Sequence, residues 1–190
     1  MLFAVFPAQA AIDGITGTTF SLTAKTGYIS TADGGSYLMW GYANGAGLMQ
    51  FPGPTLVVNQ GAVVTVNLSN QLPVPVSIVF PGQTGVTASG GAPGLLTREA
   101  PATIGTVSYT FTAAQPGTYT YYSGTSPELQ VEMGLVGALI VRPTGYNATT
   151  NKIAYNHADS QFDHRLLAYL KESLTRSIKI HNQPEHHGKR

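Results

Sequence analysis

The chain of 190 residues contains no cysteine, so it has no disulfide framework and its redox compartment cannot be read from thiol usage. Charge is scarce as well: only 10% of residues are Asp, Glu, Lys or Arg, and the formal net charge is +1. That balance gives no electrostatic footprint for nucleic acid or for an anionic membrane surface. No apolar run approaches the ~20 residues that a bilayer-spanning helix needs. Histidine is missing from everything before His157, and residues 1–97 hold only Asp13, Lys25 and Asp33 as charged groups. Residues 157–190, in contrast, hold ten charged residues and all five histidines. This shift places a boundary near Asn151–His157.

What is abundant upstream of that boundary is Gly, Pro, Ser, Thr, Val and Tyr, a composition for short strands joined by turns. The length suits one well-buried domain plus extensions. Seven runs read as strands: Phe20–Ala24, Thr55–Val58, Ala62–Leu68, Val76–Phe80, Thr106–Phe111, Thr118–Tyr122 and Gly137–Arg142. Val64, Val66 and Leu68 alternate with Thr65 and Asn67, and Val107, Tyr109 and Phe111 alternate with Ser108 and Thr110, so each strand can bury one face and wet the other. Two sheets packed face to face follow, an all-β sandwich whose domain spans 12–150. Its predicted inward residues include Val64, Val66, Ile78, Phe80, Phe111, Tyr119, Leu139 and Val141. Pro52–Pro54, Pro73–Pro75, the Gly-rich loop 82–94 and Gln115–Gly117 read as turns.

At the start, Met1–Ala10 reads as the end of a secretory signal, a short apolar run closed by the small-x-small pattern Ala8-Gln9-Ala10, although no basic segment precedes it. Cleavage after Ala10 and a periplasmic or secreted location are the expectation. At the other end, Leu166, Leu167, Leu170, Leu174 and Ile178 recur at helical spacing. His181, His186 and His187 are weak candidates for a metal-binding tract, set in a segment with Asn182, Pro184 and Gly188 that favours a floppy end. His157, Asp159, Asp163 and His164 form an acid/His cluster that could be catalytic or, as loops are commonly polar, structural. Trp40, in Tyr37–Tyr42, reads as a packing residue more than a stacking platform. Arg98, Glu99, Glu128 and Glu132 read as solvated loop charges. Asn67-Leu-Ser69 and Asn147-Ala-Thr149 match glycosylation sequons.

Two longer motifs add a resemblance. Phe51-Pro-Gly-Pro-Thr-Leu-Val-Val-Asn-Gln-Gly61 with Val64-Thr-Val-Asn-Leu-Ser-Asn-Gln-Leu-Pro73, and Pro116-Gly-Thr-Tyr-Thr-Tyr-Tyr-Ser-Gly-Thr125 with Met133-Gly-Leu-Val-Gly-Ala-Leu-Ile-Val141, resemble the first cupredoxin domain of multicopper oxidases over about residues 36–143. The resemblance implies a Greek-key β-sandwich of cupredoxin type. In that family two His-x-His pairs on this domain supply half of a trinuclear copper cluster. The corresponding positions here are Val79, Pro81, Tyr122 and Gly124, and three of the four side chains carry no donor atom. A blue-copper site needs a cysteine thiolate, which the chain lacks. No catalytic residue and no cofactor are therefore expected in this chain.

The expected function is that of a non-catalytic cupredoxin-like domain with a structural role, packing against further cupredoxin domains of the same parent or self-associating. By the same resemblance, Ala154–Asp163 leads into a second domain whose start, in 164–190, is truncated. Arg165–Leu170 would there be a strand although its own periodicity is helical. Two alternatives stand beside this: the first domain of a copper-dependent oxidase whose ligands lie in other domains, and a periplasmic metal carrier using the His-rich tail.

Overall fold

The structure, a computed structural model, describes residues 14–30 and 33–147. The expected leader, the linker and second-domain start, and His157, His164, His181, His186 and His187 lie outside the described residues. The chain runs through β1 (Gly14–Thr16), β2 (Thr19–Ser30), β3 (Ser36–Asn44), β4 (Met49–Gln50), β5 (Thr55–Asn59) and β6 (Val63–Asn70). It continues through β7 (Thr87–Gly90), β8 (Ala92–Pro93), β9 (Arg98–Glu99), β10 (Thr106–Thr112) and β11 (Gly117–Tyr122), then a short helix α1 (Pro127–Gln130) and β12 (Val136–Arg142). Among the described residues no helix is long and apolar enough to cross a membrane.

One sheet has the order β1-β5-β12-β11, the other β4-β3-β2-β6-β10-β7, and β8 with β9 forms a small separate ribbon. β1 and β12 both lie parallel to β5, and β2 lies parallel to β6, so the chain repeatedly crosses from one sheet to the other as in a Greek-key sandwich. The alternation on β6 decides its orientation: Val64, Val66 and Leu68 are buried and face Phe111, Tyr109 and Val107 across the ladder. Between the sheets Phe80 gathers the aromatics, its ring centroid 4.9 Å from Phe111, 5.8 Å from Tyr109 and 6.2 Å from Tyr121. Such pairs contribute about 0.5–1.5 kcal/mol each beyond the area they bury.

Seven of the eight predicted core residues are buried, and Tyr119 is only half-buried. It lies on the inward side of β11 but near the strand's start, where its ring closes the end of the sandwich over Gly82. A Cβ at Gly82 would stand 2.6 Å from Tyr119 Cδ1, and the backbone there has φ +82°, so glycine is required on both counts.

Val76–Phe80 is not a strand. It makes only two isolated bridges, Val76 to Ala100 and Val79 to Tyr122, so it spans the gap between sheets. Prolines at 73, 75 and 81 remove the donors a ladder would use on either side. The segment's inner polar groups turn to side chains, with Ile78 N–H donating to Tyr109 Oη at 3.0 Å. Conversely, the 82–94 loop contains β7, whose Thr87–Gly90 pairs with β10, and Tyr37–Tyr42 lies within β3. There Tyr42 is fully buried, while Trp40 is half-buried against the core and donates its amide N–H to Met133 O at 2.8 Å.

The turn after β6 is organised by Asn70. Its Nδ2 donates to the carbonyls of Val74 at 2.7 Å, Pro101 at 3.0 Å and Ala100 at 3.1 Å, and its Oδ1 accepts Leu72 N–H at 2.9 Å. One carboxamide thereby satisfies backbone groups from two separate loops.

Candidate functional site

The bridge between Val79 and Tyr122 brings two of the four sequence-selected positions side by side. Val79 N–H donates to Tyr122 O at 2.9 Å and Tyr122 N–H donates to Val79 O at 3.2 Å, the reciprocal exchange of an antiparallel hydrogen-bonded pair. Two residues on, Gly124 is buried against the same place: a Cβ on it would stand 2.7 Å from Val79 Cγ1 and 3.1 Å from Ser77 Oγ. Val79 and Tyr122 are half-buried and Pro81 is exposed. Val79, Tyr122 and Gly124 thus converge, and Pro81 follows Val79 at the rim. The space a side chain at 124 would enter is filled by the Val79 methyl, and the only heteroatom offered by the four side chains is the Tyr122 phenol.

Behind this face runs a polar network that the sequence reading did not single out. Ser77 Oγ and Thr125 Oγ1 lie 2.9 Å apart, and Thr125 Oγ1 donates to Glu99 Oε1 at 2.8 Å, which leaves Ser77 as the donor to Thr125. Ser123 Oγ donates to Gln130 Oε1 at 2.6 Å, and Gln130 Nε2 donates to Pro75 O at 2.9 Å, tying α1 to the proline-rich crossing. Ser77, Ser123 and Gln130 are all buried. No local pattern announces it: Val76–Phe80 is not a strand, and alternation would set Ser77 on the side opposite the core residues Ile78 and Phe80, yet Ser77 is buried.

Three buried phenols lie nearby. Tyr121 Oη donates to Pro54 O at 2.7 Å, Tyr109 Oη to Arg98 O at 2.7 Å, and Tyr42 Oη to Ser77 O at 3.4 Å. Burial disfavours the phenolate and pushes all three well above the ordinary tyrosine range. At Tyr42 neighbouring Tyr121 and Tyr109 add to it, and at Tyr109 the Glu99 carboxylate does.

The charges near the site are engaged with backbone and hydroxyls. Arg98 donates to Gly91 O at 3.0 Å and also to Gly90 O, Glu99 accepts from Thr125, and Glu128 and Glu132 are exposed. Among the described residues no group of three or more His, Cys, Asp or Glu side chains could hold a metal ion.

Comparison with known proteins agrees with this architecture. Residues 23–145, more than half of the chain, match the family model described as multicopper oxidase. The multicopper oxidase MCE of Talaromyces pinophilus is 36% identical over 96 residues, which cover 50% of this chain and 15% of that protein. Among solved structures, the multicopper oxidase mgLAC superposes with a TM-score of 0.56 at 28% identity, over 67% of this chain and 39% of that one. A multi-copper oxidase from Pseudomonas thermotolerans superposes at 0.59 and 24% identity, over 73% of this chain and 32% of its own, a likeness of fold. The chain therefore spans well under half the length of each of these relatives. With the sandwich, the ordered sequence blocks and the family match in agreement, the chain belongs to the multicopper oxidase family and contributes a cupredoxin-like domain to it.

Proposed function

We propose that residues 12–150 act as a non-catalytic cupredoxin-like domain of a secreted or periplasmic multicopper-oxidase-like protein, packing against further cupredoxin domains instead of holding copper. The observation that supports this reading is the Val79–Tyr122–Gly124 junction, where a methyl group fills the space a ligand at 124 would need and a lone phenol is the only donor. Copper(II) sites are built from imidazole and thiolate ligands, and a phenol without a strong co-ligand is a poor substitute. The residues present do not fit the family's copper.

The test is a copper titration of the full chain and of the H181A/H186A/H187A variant, with a competing chelator. The variant is expected to bind no equivalent of copper more tightly than micromolar. A stoichiometric tight site in that variant would overturn the proposal, whereas tight binding lost with the three histidines would favour the carrier role of the tail. A second reading, that the parent is a copper-dependent oxidase with its ligands on other domains, is favoured by the chain's spanning only 15% of the Talaromyces pinophilus enzyme. A blue-copper absorbance in a longer form of the protein would support it.

A further inference from the structure

The outward face of the six-stranded sheet carries a pattern that neither the core nor the Val79–Tyr122 junction requires. On β6, Thr65, Asn67 and Ser69 alternate with buried Val64, Val66 and Leu68 and so point away from the core. The register sets them directly opposite Thr110, Ser108 and Thr106 of β10. On one flank Thr19 and Ser21 of β2 pair with Thr65 and Asn67, and on the other Thr87 and Ser89 of β7 pair with Thr110 and Ser108. Two rows therefore cross four strands, Thr19–Thr65–Thr110–Thr87 and Ser21–Asn67–Ser108–Ser89. Every member is a hydroxyl or a carboxamide, and none is buried.

Strand propensity accounts for threonine here but not for serine and asparagine, which pleated strands disfavour or treat indifferently. Solubility and edge protection ordinarily place lysine or glutamate on such a face, above all on an edge strand, yet the rows contain no charge even on the edge strand β7. The side chains hold one another instead: Ser108 Oγ donates to Asn67 Oδ1, Thr65 and Thr110 hydroxyls lie 3.5 Å apart, and Thr87 Oγ1 donates to Thr110 O at 3.2 Å. Between β6, β10 and β7 the face hollows into a shallow depression of about 330 Å³, lined among others by Asn67, Ser69, Ser89, Thr106 and Ser108.

We propose that this face binds an uncharged polysaccharide. Hydroxyl and carboxamide groups both donate and accept, so they match sugar hydroxyls in either sense, and the two rows carry no charge to favour an anionic polymer, while Lys25, on the same side of β2, donates to Gly47 O at 2.9 Å. Neighbouring rungs repeat about 4.8 Å across the strands and about 6.8 Å along them, which presents the same contacts again to an extended repeating chain. Each net hydrogen bond contributes only about 0.5–1.5 kcal/mol, so a short oligosaccharide is held weakly and a polymer gains by re-binding along its length.

The test is native gel electrophoresis of the full 190-residue chain through gels cast with a soluble β-1,4-glucan, a soluble β-1,3-glucan, a soluble mannan or anionic polygalacturonate. Retardation by at least one neutral polymer and none by polygalacturonate is expected. The S89K/T106K variant, with charge placed in the depression, should lose at least half of the retardation, and the S89T/T106S variant should keep it. Should the lysine variant melt early, S108A serves in its place with the same expected loss. Unchanged migration in all three neutral gels, retardation by polygalacturonate alone, or retardation indifferent to the substitutions would overturn the proposal.

Discussion

The phenolic oxygen of Tyr109 accepts the amide N–H of Ile78 at 3.0 Å, a hydrogen bond between a core strand and a backbone that no ladder reaches. The same oxygen donates to Arg98 O at 2.7 Å, so one side chain pins the proline-bounded crossing and β9 to β10. Tyr109→Phe keeps the ring and removes both bonds. Leaving a buried N–H unpaired costs about 1–3 kcal/mol, and the urea midpoint should fall accordingly with an unchanged slope. A midpoint equal to that of the native chain would show that the bond contributes nothing.

Alkaline pH should unfold this protein through its buried phenols. Tyr42, Tyr109 and Tyr121 have folded-state values raised above the unfolded tyrosine value of about 10, so the native state keeps protons that the unfolded state releases. Their contribution is fully present below pH ~10 and declines above it, by up to about 1.4 kcal/mol per tyrosine per pH unit. Melting temperature followed against pH, together with tyrosinate absorbance, should show ionisation of these groups appearing with unfolding. Ionisation of all tyrosines near pH ~10 in a still-folded chain would contradict their burial.

Gly124 and Val79 should be energetically coupled. Gly124→Ala puts a Cβ 2.7 Å from Val79 Cγ1, an overpacking expected to cost about 1–3 kcal/mol. Val79→Ala removes that methyl, so the double variant should recover part of the loss, with a coupling of about 0.5–3 kcal/mol in a thermodynamic cycle. Strictly additive effects would mean that the two side chains do not meet.

Asn70→Ala should be more harmful than any surface substitution, because Val74 O and the Leu72 N–H lose their partner at once, and Ala100 O and Pro101 O keep only the N–H groups of Val76 and Gly105. A loss above about 2 kcal/mol is expected from chemical denaturation. Asn70→Asp retains the acceptor for Leu72 but no donor, so it should not restore stability; a variant as stable as the native chain would refute the carboxamide's bridging role.

The strands were legible where apolar and polar residues alternate, as in Val64–Leu68 and Val107–Phe111, because period two specifies both extension and the buried face. Val76–Phe80 has similar residues, but whether it is a strand depends on what lies beside it, and its neighbours Ala100 and Tyr122 belong to different places in the fold. Tyr119 shows the same limit: parity fixes its side of the strand, not how near the strand's end lies to solvent. At the candidate site the motifs picked out Val79, Tyr122 and Gly124, and the fold brings them together. The supporting network was not legible, since Gln130 and Pro75 are 55 residues apart and no local pattern announces their hydrogen bond.

The parallel pairing of β5 between β1 and β12 also sets an order of events during synthesis. Leu56 of β5 lines up with Leu139 of β12, about eighty residues downstream, so at roughly 5–20 residues per second the central strand of the smaller sheet waits some 4–16 s for its second neighbour. During that interval the inner side of the larger sheet, whose β6 and β10 are complete sooner, has only an incomplete opposing layer. A ribosome-bound chain stalled before β12 should accordingly be captured by chaperones and cleaved readily by protease, and one stalled long enough after it for the strand to clear the exit tunnel should not.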